Sequence, residues 1–497
     1  MGYVIGIDGG TESLRAHVFD LSGRSAGMGR GVYATAFPAP AQAEQHPDDW
    51  WRAAGEAVQG ALADAGVGAD QIIALAADTT SCTVVACAED GTPLRPALLW
   101  MDVRAHREAD EVAACGDPAL RINGDGAGPV SPEWMIPKAL WLHRNQPDIY
   151  ARAARICEYQ DWLNHRLTGR WCASRNNVSM RWHWQADHGG WPTAMLARLG
   201  LADLAGKWPA DIVVPGEVIA GLSAQAAAHL GLRAGTPVVQ GGADAFIGMI
   251  GLGVTEPGDL ALITGSSHLH LGIATRAVHA RGVWGTYADC VYPGKQVIEG
   301  GQTSTGSVIA WFKRHFAEHI DFDRLNAMAA ALPPGAEGLL AVDHFQGNRT
   351  PHTDALARGA ITGLTLKHTP AHVYRALVES VCFGTRLIVD SFGDAFDPRR
   401  IVVAGGATRS EFWLQVHADT LGVPLLLTEE PEACPLGSAI LAATGAGRFA
   451  RIEDGCAAMV RVARTITPDM AAHAAYAPIY DRYCAAYAAL KPLREAP

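Results

Sequence analysis

VIGIDGGTESLRAHVF, residues 4–19, decides the fold: an apolar run ends at Asp8, Gly9-Gly10 and Thr11-Glu12-Ser13 form a turn, and a second apolar run carries Arg15. This pattern predicts a strand–turn–strand hairpin. A weaker echo, LALITGSSHLHL, stands at 260–271, where 260–263 lead into Thr264-Gly265-Ser266-Ser267. Two such hairpins about half a chain apart predict two similar lobes, each offering backbone N–H groups and hydroxyls to one phosphate chain. A nucleotide can be held in this way without a P-loop.

The chain has 497 residues, 49% of them apolar and 18% charged, which predicts at least two domains of a globular, loop-rich α/β protein. Its net charge of −11, with no basic run, argues against a nucleic-acid partner. A polyphosphate would have to be held by local N–H groups and a metal ion. No stretch approaches the roughly 18 apolar residues of a membrane helix, and no leader precedes the first strand, so no membrane partner and a cytoplasmic location are expected. The ten cysteines include no CxxC pair and read as small buried hydrophobes.

Along the first half, strands are expected at 3–20, near 30–36, at 72–77 and at 83–86, with a helix over 47–66 whose Trp50, Ala54, Val58 and Leu62 fall at helical spacing. This order differs from a dinucleotide fold, where a helix directly follows the first glycine loop. Residues 104–210 read as a mostly helical cap facing the substrate, with helices at 104–114, 138–145 and 158–167. The loop 253–258 marks the boundary between an N-terminal domain, 1–252, and a C-terminal domain, 253–497. The second domain reads as a hairpin over 260–273, helices at 306–318, 322–332 and 370–391, a strand at 401–404 and a helix at 410–421. In the last helix Tyr480, Tyr483, Tyr487 and Leu490 form a stripe that reads as packing.

Three strand ends carry the chemistry. Asp8, beside two glycines, supplies the carboxylate that a nucleotide-bound divalent cation needs. Asp244 follows a short apolar strand and Gly241-Gly242-Ala243, where it serves as a helix cap or as a general base within reach of a hydroxyl. The third strand runs into Gly405-Gly406-Ala407, whose small residues let a flat purine approach the backbone. A single base and one magnesium ion suffice for phosphoryl transfer, because the protein mostly positions reactants and neutralises charge.

With these residues in place, the chain resembles the FGGY carbohydrate kinases, which share the ribonuclease-H-like, actin-like ATPase fold. The resemblance runs through Gly437-Ser438-Ala439. It is most specific in GAITGLTLKHTPAHVYRALVE, 359–379, where Gly359, Gly363, Leu364, His372 and Ala376 match the family's signature spacing. It implies two such α/β domains with an interlobe active-site cleft, and ATP and Mg2+ as partners of the sugar. Asp8 would then hold magnesium through water, and Gly10, Thr11, Ser13 and Arg15 would lie along the phosphates. Thr264, Gly265 and Ser266 would face them from the other lobe, Gly306 would border the nucleotide, Gly405, Gly406 and Ala407 would form the adenosine loop, and Asp244 would be the catalytic base.

Three local patterns resemble the ribulokinase branch: Asp78-Thr79-Thr80-Ser81-Cys82, the Trp100-Met101-Asp102 element with Arg104, and VSPEWMIPK at 130–138. They imply Thr80, Ser81, Asp102, Trp134 and Lys138 as sugar-side residues, with Glu299 or Gln302 bonding sugar hydroxyls. Arg181 stands where that branch often has Lys, and a guanidinium is not equivalent to an ammonium at a bonded site. The expectation is an ATP-dependent kinase acting on a terminal hydroxyl of ribulose, with xylulose, then another pentulose or polyol (erythritol, ribitol, glycerol) as alternatives. A homodimer is common among such enzymes, although no residue demands one. A non-metabolic actin-like ATPase is the rival from another class; it would need neither Asp244 nor a polar cap, and would hydrolyse ATP without sugar. A catalytically silent sugar-binding regulator fits poorly with intact Asp8 and Asp244.

Overall fold

The computed structural model describes residues 2–128 and 130–493. By internal contacts the chain divides into two units, one built from residues 1–255, 287–297 and 432–461, the other from 256–286, 298–431 and 462–497.

The first unit is built on a six-stranded sheet of β1 (Tyr3–Gly9), β2 (Ser13–Phe19), β3 (Ser25–Val32), β4 (Ile72–Thr79), β5 (Val218–Gly221) and β6 (Pro237–Val239), in the order β5-β6-β4-β1-β2-β3. The β1–β2 hairpin is antiparallel, while β1 lies parallel to β4 and β4 parallel to β6. Both faces are covered, so β1 is a near-continuous buried run rather than an alternating one. The helix Pro47–Ala65 starts with Pro47 at its first turn and Asp48 and Asp49 at its positive end, and stops at Gly66 with φ of 61°.

The third strand begins at Ser25 rather than near residue 30, because the tight turn through Gly23 sends the chain straight back along β2. Its glycines, Gly27, Gly29 and Gly31, are not loop residues. They share one face of β3, and a Cβ on each would lie 2.3, 2.1 and 2.4 Å from backbone atoms of Ala65, Ala57 and Ala53. Period-two glycines on the strand meet small residues at helical spacing, Ala53, Ala57 and Ala61, and let helix and strand backbones touch.

The predicted cap helices are present as His106–Ala114, Met135–Asn145 and Tyr159–Thr168. The expected strand at 83–86, observed as Val84–Cys87, lies in a sheet with three strands the sequence reading did not anticipate. Arg155–Glu158 pairs antiparallel with Val84–Cys87, completing a four-stranded sheet with Ala97–Leu98 and Glu44–Gln45. A separate apolar core that includes Trp182, Trp208, Leu140 and Ile156 fills this part of the unit.

The second unit contains a seven-stranded sheet of β7 (Asp259–Thr264), β8 (His268–Ala274), β9 (Gly285–Ala288), β10 (Gln296–Gln302), β11 (Arg400–Gly405), β12 (Leu425–Thr428) and β13 (Val462–Ile466), ordered β9-β10-β8-β7-β11-β12-β13. The β7–β8 hairpin is antiparallel and β7 runs parallel to β11. A hairpin with a parallel neighbour on its first strand therefore recurs, as the paired glycine turns predict. The predicted helix at 370–391 is observed as Pro370–Ser391, opened by a Thr369–His372 capping box. On the last helix, Met470–Leu490, Tyr480 and Tyr483 are buried, and Tyr480, Tyr483 and Tyr487 donate hydrogen bonds to Asp390, Asp343 and Asp354. Among the described residues no helix is long and apolar enough to cross a membrane.

The β3 contact is tested by Gly29→Val. The added side chain collides with the Ala57 carbonyl, and urea unfolding should show a loss of about 2 kcal/mol or more, whereas Gly60→Ala on the helix, whose Cβ meets only Gly29 Cα at 3.4 Å, should cost far less.

Candidate active site

In the first unit three neighbouring strands each deliver a carboxylate. Asp8 ends β1, and its Cα partner across the parallel pairing is Asp78 at the end of β4. Asp244 opens the helix Asp244–Gly251 just beyond β6, with Ala243 rather than Asp244 in the capping position. The turn that carries Asp244 is held from three sides: Thr79 N–H donates to the Gly242 carbonyl (3.1 Å), Ser174 Oγ to the Gly241 carbonyl (2.8 Å) and Ala243 N–H to Asn176 Oδ1 (2.9 Å). Gly241 is required here, since a Cβ would stand 1.9 Å from the Ala77 carbonyl oxygen.

Burial dominates the electrostatics. Asp8 is raised above the usual carboxylate range by burial, against the pull of the Arg15 guanidinium. Asp78, fully buried, is pushed far up by burial and then by the charge of Asp8; Ser438 Oγ donates to its Oδ2 at 2.7 Å. Asp244 keeps part of its surface open, but close packing around the rest, and then the charge of Asp8, push it up to about 7. Arg15, opposite Asp8 across the β1–β2 pairing, bonds Asp8 and Glu432 at once. It is the cation that balances this cluster.

The rest of the predicted hairpin is at its tip. Gly10 N–H closes the turn on the Ser13 carbonyl (3.1 Å), Ser13 is buried, Thr11 Oγ1 accepts from Trp100 Nε1 (3.0 Å), and Glu12 points to solvent. Magnesium prefers hard oxygen ligands and keeps much of its own water, so it needs one or two carboxylates rather than a closed cage. Asp8 beside Asp78 and Asp244 fits that demand, and among the described residues no three His, Cys, Asp or Glu side chains converge as a cage.

Beyond Asp78 the loop Thr79–Thr83 is clamped at Cys82, which has φ of 60°. Cys82 N–H donates to Glu158 Oε2 (2.9 Å), while Lys138 Nζ donates to the Cys82, Leu98 and Leu99 carbonyls. Glu158 also accepts from Asn177 Nδ2 (2.9 Å) and Trp182 Nε1 (2.6 Å). Burial lowers the Lys138 ammonium to about 8 and raises Glu158. All three Lys138 donors are thus engaged by backbone, and what it provides here is the shape of the loop that presents Thr80 and Ser81. Thr80 Oγ1 in turn lies 3.2 Å from Thr83 Oγ1.

Asp102 is likewise enclosed. It accepts from Ala43 N–H (2.7 Å) and from Arg104 (Nε 2.8 Å), which also pairs with Glu44, so it fastens the segment 41–45. Trp134 and Arg181 come together as a wall: the guanidinium lies 5.7 Å from the Trp134 ring, and its Nη1 donates to the Tyr287 hydroxyl at 2.9 Å. Sequence reasoning missed Glu158, Tyr287 and the part played by Asp78. Asp78 had a usable signal, since like Asp8 it is an Asp ending a buried apolar run.

In the second unit the predicted nucleotide residues are assembled around the β7–β8 turn. Gly265, Ser266 and Ser267 are exposed at its tip, Thr305 N–H donates to the Ser266 carbonyl (3.0 Å) and Gly306 N–H to that of Gly265 (3.2 Å). Gly306 must lack a side chain, because a Cβ would be 2.4 Å from the Gly265 oxygen. Thr264 Oγ1 donates to the Ala404 carbonyl (2.7 Å) and accepts from Ala407 N–H (3.0 Å), locking β7 to the turn after β11. Gly405 (φ 90°) touches the Thr264 carbonyl, and the space above Gly406 is open.

The pleat of β10 separates the two sugar-side expectations. Gln302 is directed at the helix Pro370–Ser391: its Nε2 donates to Asp343 Oδ2 (2.9 Å) and the Val381 carbonyl (3.0 Å), and its Oε1 accepts from Thr385 (3.0 Å). Glu299, three residues earlier, lies on the opposite face.

Residues 3–251 match the N-terminal domain of the FGGY family of carbohydrate kinases, and residues 260–446 match its C-terminal domain. A ribulokinase of Mycolicibacterium smegmatis is 33% identical over 532 aligned positions, covering 96% of this chain and 93% of the relative. A ribulokinase of Shouchella clausii is 31% identical over 485, covering 90% and 86%. Among solved structures, a xylulose kinase of Rhodospirillum rubrum superposes with a TM-score of 0.89 at 28% identity, covering 99% of each chain. With both domains matched across most of its length, the chain belongs to the FGGY family of carbohydrate kinases.

Proposed function

We propose that this kinase transfers the terminal phosphoryl group of ATP to a terminal hydroxyl of ribulose. The observation that carries the transfer is Asp244, a strand-end carboxylate poised near neutrality on a turn fastened at three points. A base of that affinity takes the proton of an alcohol as the alcohol oxygen attacks phosphorus, and its fixed position removes the need to search for geometry. Asp8 is the residue that would hold magnesium through water, with Gly10, Thr11, Ser13 and Arg15 along the phosphates. When bound, the ion neutralises charge on the departing diphosphate. In the second unit the exposed tip Gly265-Ser266, held in place by Thr264 and Gly306, faces the phosphates with its backbone and the Ser266 hydroxyl, and the open backbone at Gly405 and Gly406, anchored through Ala407, accepts the adenosine.

For the sugar, the support is the naming of relatives at 31–33% identity as ribulokinases and the Thr79–Thr83 loop held by Glu158 and Lys138. Thr80, Ser81, Trp134, Arg181 and Glu299 are the proposed contacts, while Asp102, Lys138 and Gln302 act through the segments they fasten. Xylulose is the second reading, favoured by the xylulose kinase likeness at 28% identity. A coupled assay of ADP release over ribulose, xylulose, ribitol, erythritol and glycerol tests the assignment. Ribulose should give the highest kcat/KM, and a higher value on any other sugar overturns it.

Asp244→Asn should abolish turnover while sugar binding stays measurable by calorimetry. Because the base must be ionised, kcat/KM of the wild type should fall about tenfold per pH unit below about 7. The sign for stability is opposite. A carboxyl whose folded affinity for protons is raised stabilises the fold below about pH 4, and that contribution is lost as pH climbs to about 7. Without ligands, Asp244→Asn should therefore melt above the wild type at pH 8, with the gap narrowing towards pH 5.

A further inference from the structure

The alternation of β10 leaves a cation on the same face as Glu299. A Cβ on Gly300 would meet Ile388 and Phe392, and Gln302 reaches Val381, so these two face the helix Pro370–Ser391 and the turn that follows it. On the other face Gly301 has no side chain, and the stem of Arg349 fills that place, its Cδ 3.3 Å from where a Cβ would be. The guanidinium lies over the Trp284 ring at 4.6 Å. Arg349 is part-exposed, and among the described residues it pairs with no carboxylate.

Its segment is stitched to β10 and the loop that follows. Thr350 Oγ1 accepts from Gly301 N–H (3.4 Å), Thr303 Oγ1 donates to the Gly347 carbonyl (2.9 Å), and Ser304 Oγ to that of Asp343 (2.7 Å). The Gly301 position is also 3.5 Å from the His268 carbonyl, at the start of β8 beside the exposed Gly265-Ser266-Ser267 tip. Arg349 thus sits two residues along β10 from Glu299, about 7 Å, and next to the phosphate hairpin of its own unit. A charged fork fixed by an aromatic face, with no acidic partner, is a donor set for phosphate oxygens.

We propose that Arg349 contacts the phosphoryl group in transfer, as the terminal phosphate of ATP before the reaction and as the sugar phosphate after it. The transfer breaks the bond from phosphorus to the diphosphate oxygen and forms one to the sugar oxygen. Arg349 gives up no proton; it donates N–H bonds to the non-bridging oxygens, whose charge it offsets. This inference rests on the carbohydrate-kinase reading of the site, but not on which sugar is used.

The test is Arg349→Met, which keeps a flat stem on Trp284, beside Arg349→Lys, which keeps charge without the fork. On whichever sugar the wild type turns over, kcat for Arg349→Met should drop about 100-fold, with KM for the sugar and Kd for ADP within about twofold; Arg349→Lys should fall between. Two arms separate the states contacted. Lost affinity for a non-hydrolysable ATP analogue relative to ADP reports the nucleotide's terminal phosphate, and a raised inhibition constant for the sugar phosphate relative to the free sugar reports the product. Wild-type kcat in both variants, or a loss of ADP affinity that accounts for the whole effect, overturns the proposal, as does a rise confined to sugar KM. If Arg349→Met does not fold, Arg349→Lys decides by the same criteria. A wild type that turns over no sugar sinks the kinase reading alone, and Arg349 is then judged by the ATP-analogue arm.

Discussion

Three acidic side chains brought out of water side by side are the constraint around which the first unit is arranged. Adjacent strands β6, β4 and β1 deliver Asp244, Asp78 and Asp8 to one end of the sheet, where the charge of Asp8 raises the proton affinity of both Asp78 and Asp244, and that of Asp244 raises Asp78 further. Like charges gathered in a poorly solvated place oppose folding unless protons or cations offset them. Arg15 and the Ser438 hydroxyl do so here, one from β2 and one from the helix Ala433–Gly445. That helix can come close enough because side chains are absent where backbones cross: a Cβ on Gly6 would lie 1.8 Å from the Pro435 oxygen, one on Gly251 1.9 Å from that of Ala433, and one on Gly437 2.1 Å from that of Ile247. The glycines of the sheet and helices are thus part of the acid cluster's support, even though none touches a carboxylate.

The second unit repeats the hairpin with different chemistry. Its turn carries no carboxylate; Thr264 is fixed by Ala404 and Ala407, and Gly265 and Ser266 by the start of the helix Gly306–Phe316. What remains exposed is a rim of backbone and hydroxyl groups with a bare glycine beside it. An acidic strand end suits a cation and a proton acceptor, whereas a rigid neutral turn suits an anion. One backbone motif therefore appears with two chemistries, and the proposed function uses both: only the residues at the strand ends differ.

Local signals were enough for the two hairpins, for the position of Asp8 and Asp244 where apolar runs end, and for the helix Pro370–Ser391, since each is written in contiguous sequence: an apolar run, a glycine turn, a polar residue at its edge. Residues whose meaning depends on a distant partner were not legible. Gly27, Gly29 and Gly31 look like a loop until Ala53 and Ala57 lie against them. Glu158 stands in an unremarkable cap segment and acquires its role from Cys82, Asn177 and Trp182. The choice between Glu299 and Gln302 turns on which face of a strand meets a helix, and EGGQ does not encode that by itself.

The enclosed polar residues of the cap hold backbone in place rather than stand free. Lys138 and Glu158 grip the two ends of the Cys82 backbone group, one its carbonyl and one its N–H, and so hold a non-glycine residue at positive φ, a conformation that costs about 1 kcal/mol or more unless its surroundings impose it. Asp102 and Arg104 do similar work on the segment 41–45. A buried ion pair such as Asp102–Arg104 is a poor source of stability, but removing one partner leaves the other uncompensated, so it fixes a shape sharply. A loop fixed in this way presents its hydroxyls at set positions, and on the proposed reading of Thr80 and Ser81 as sugar contacts a sugar is selected by whether its own hydroxyls meet them. On that reading residues that touch no sugar set its identity, and direct contacts read from local motifs describe only part of the recognition surface.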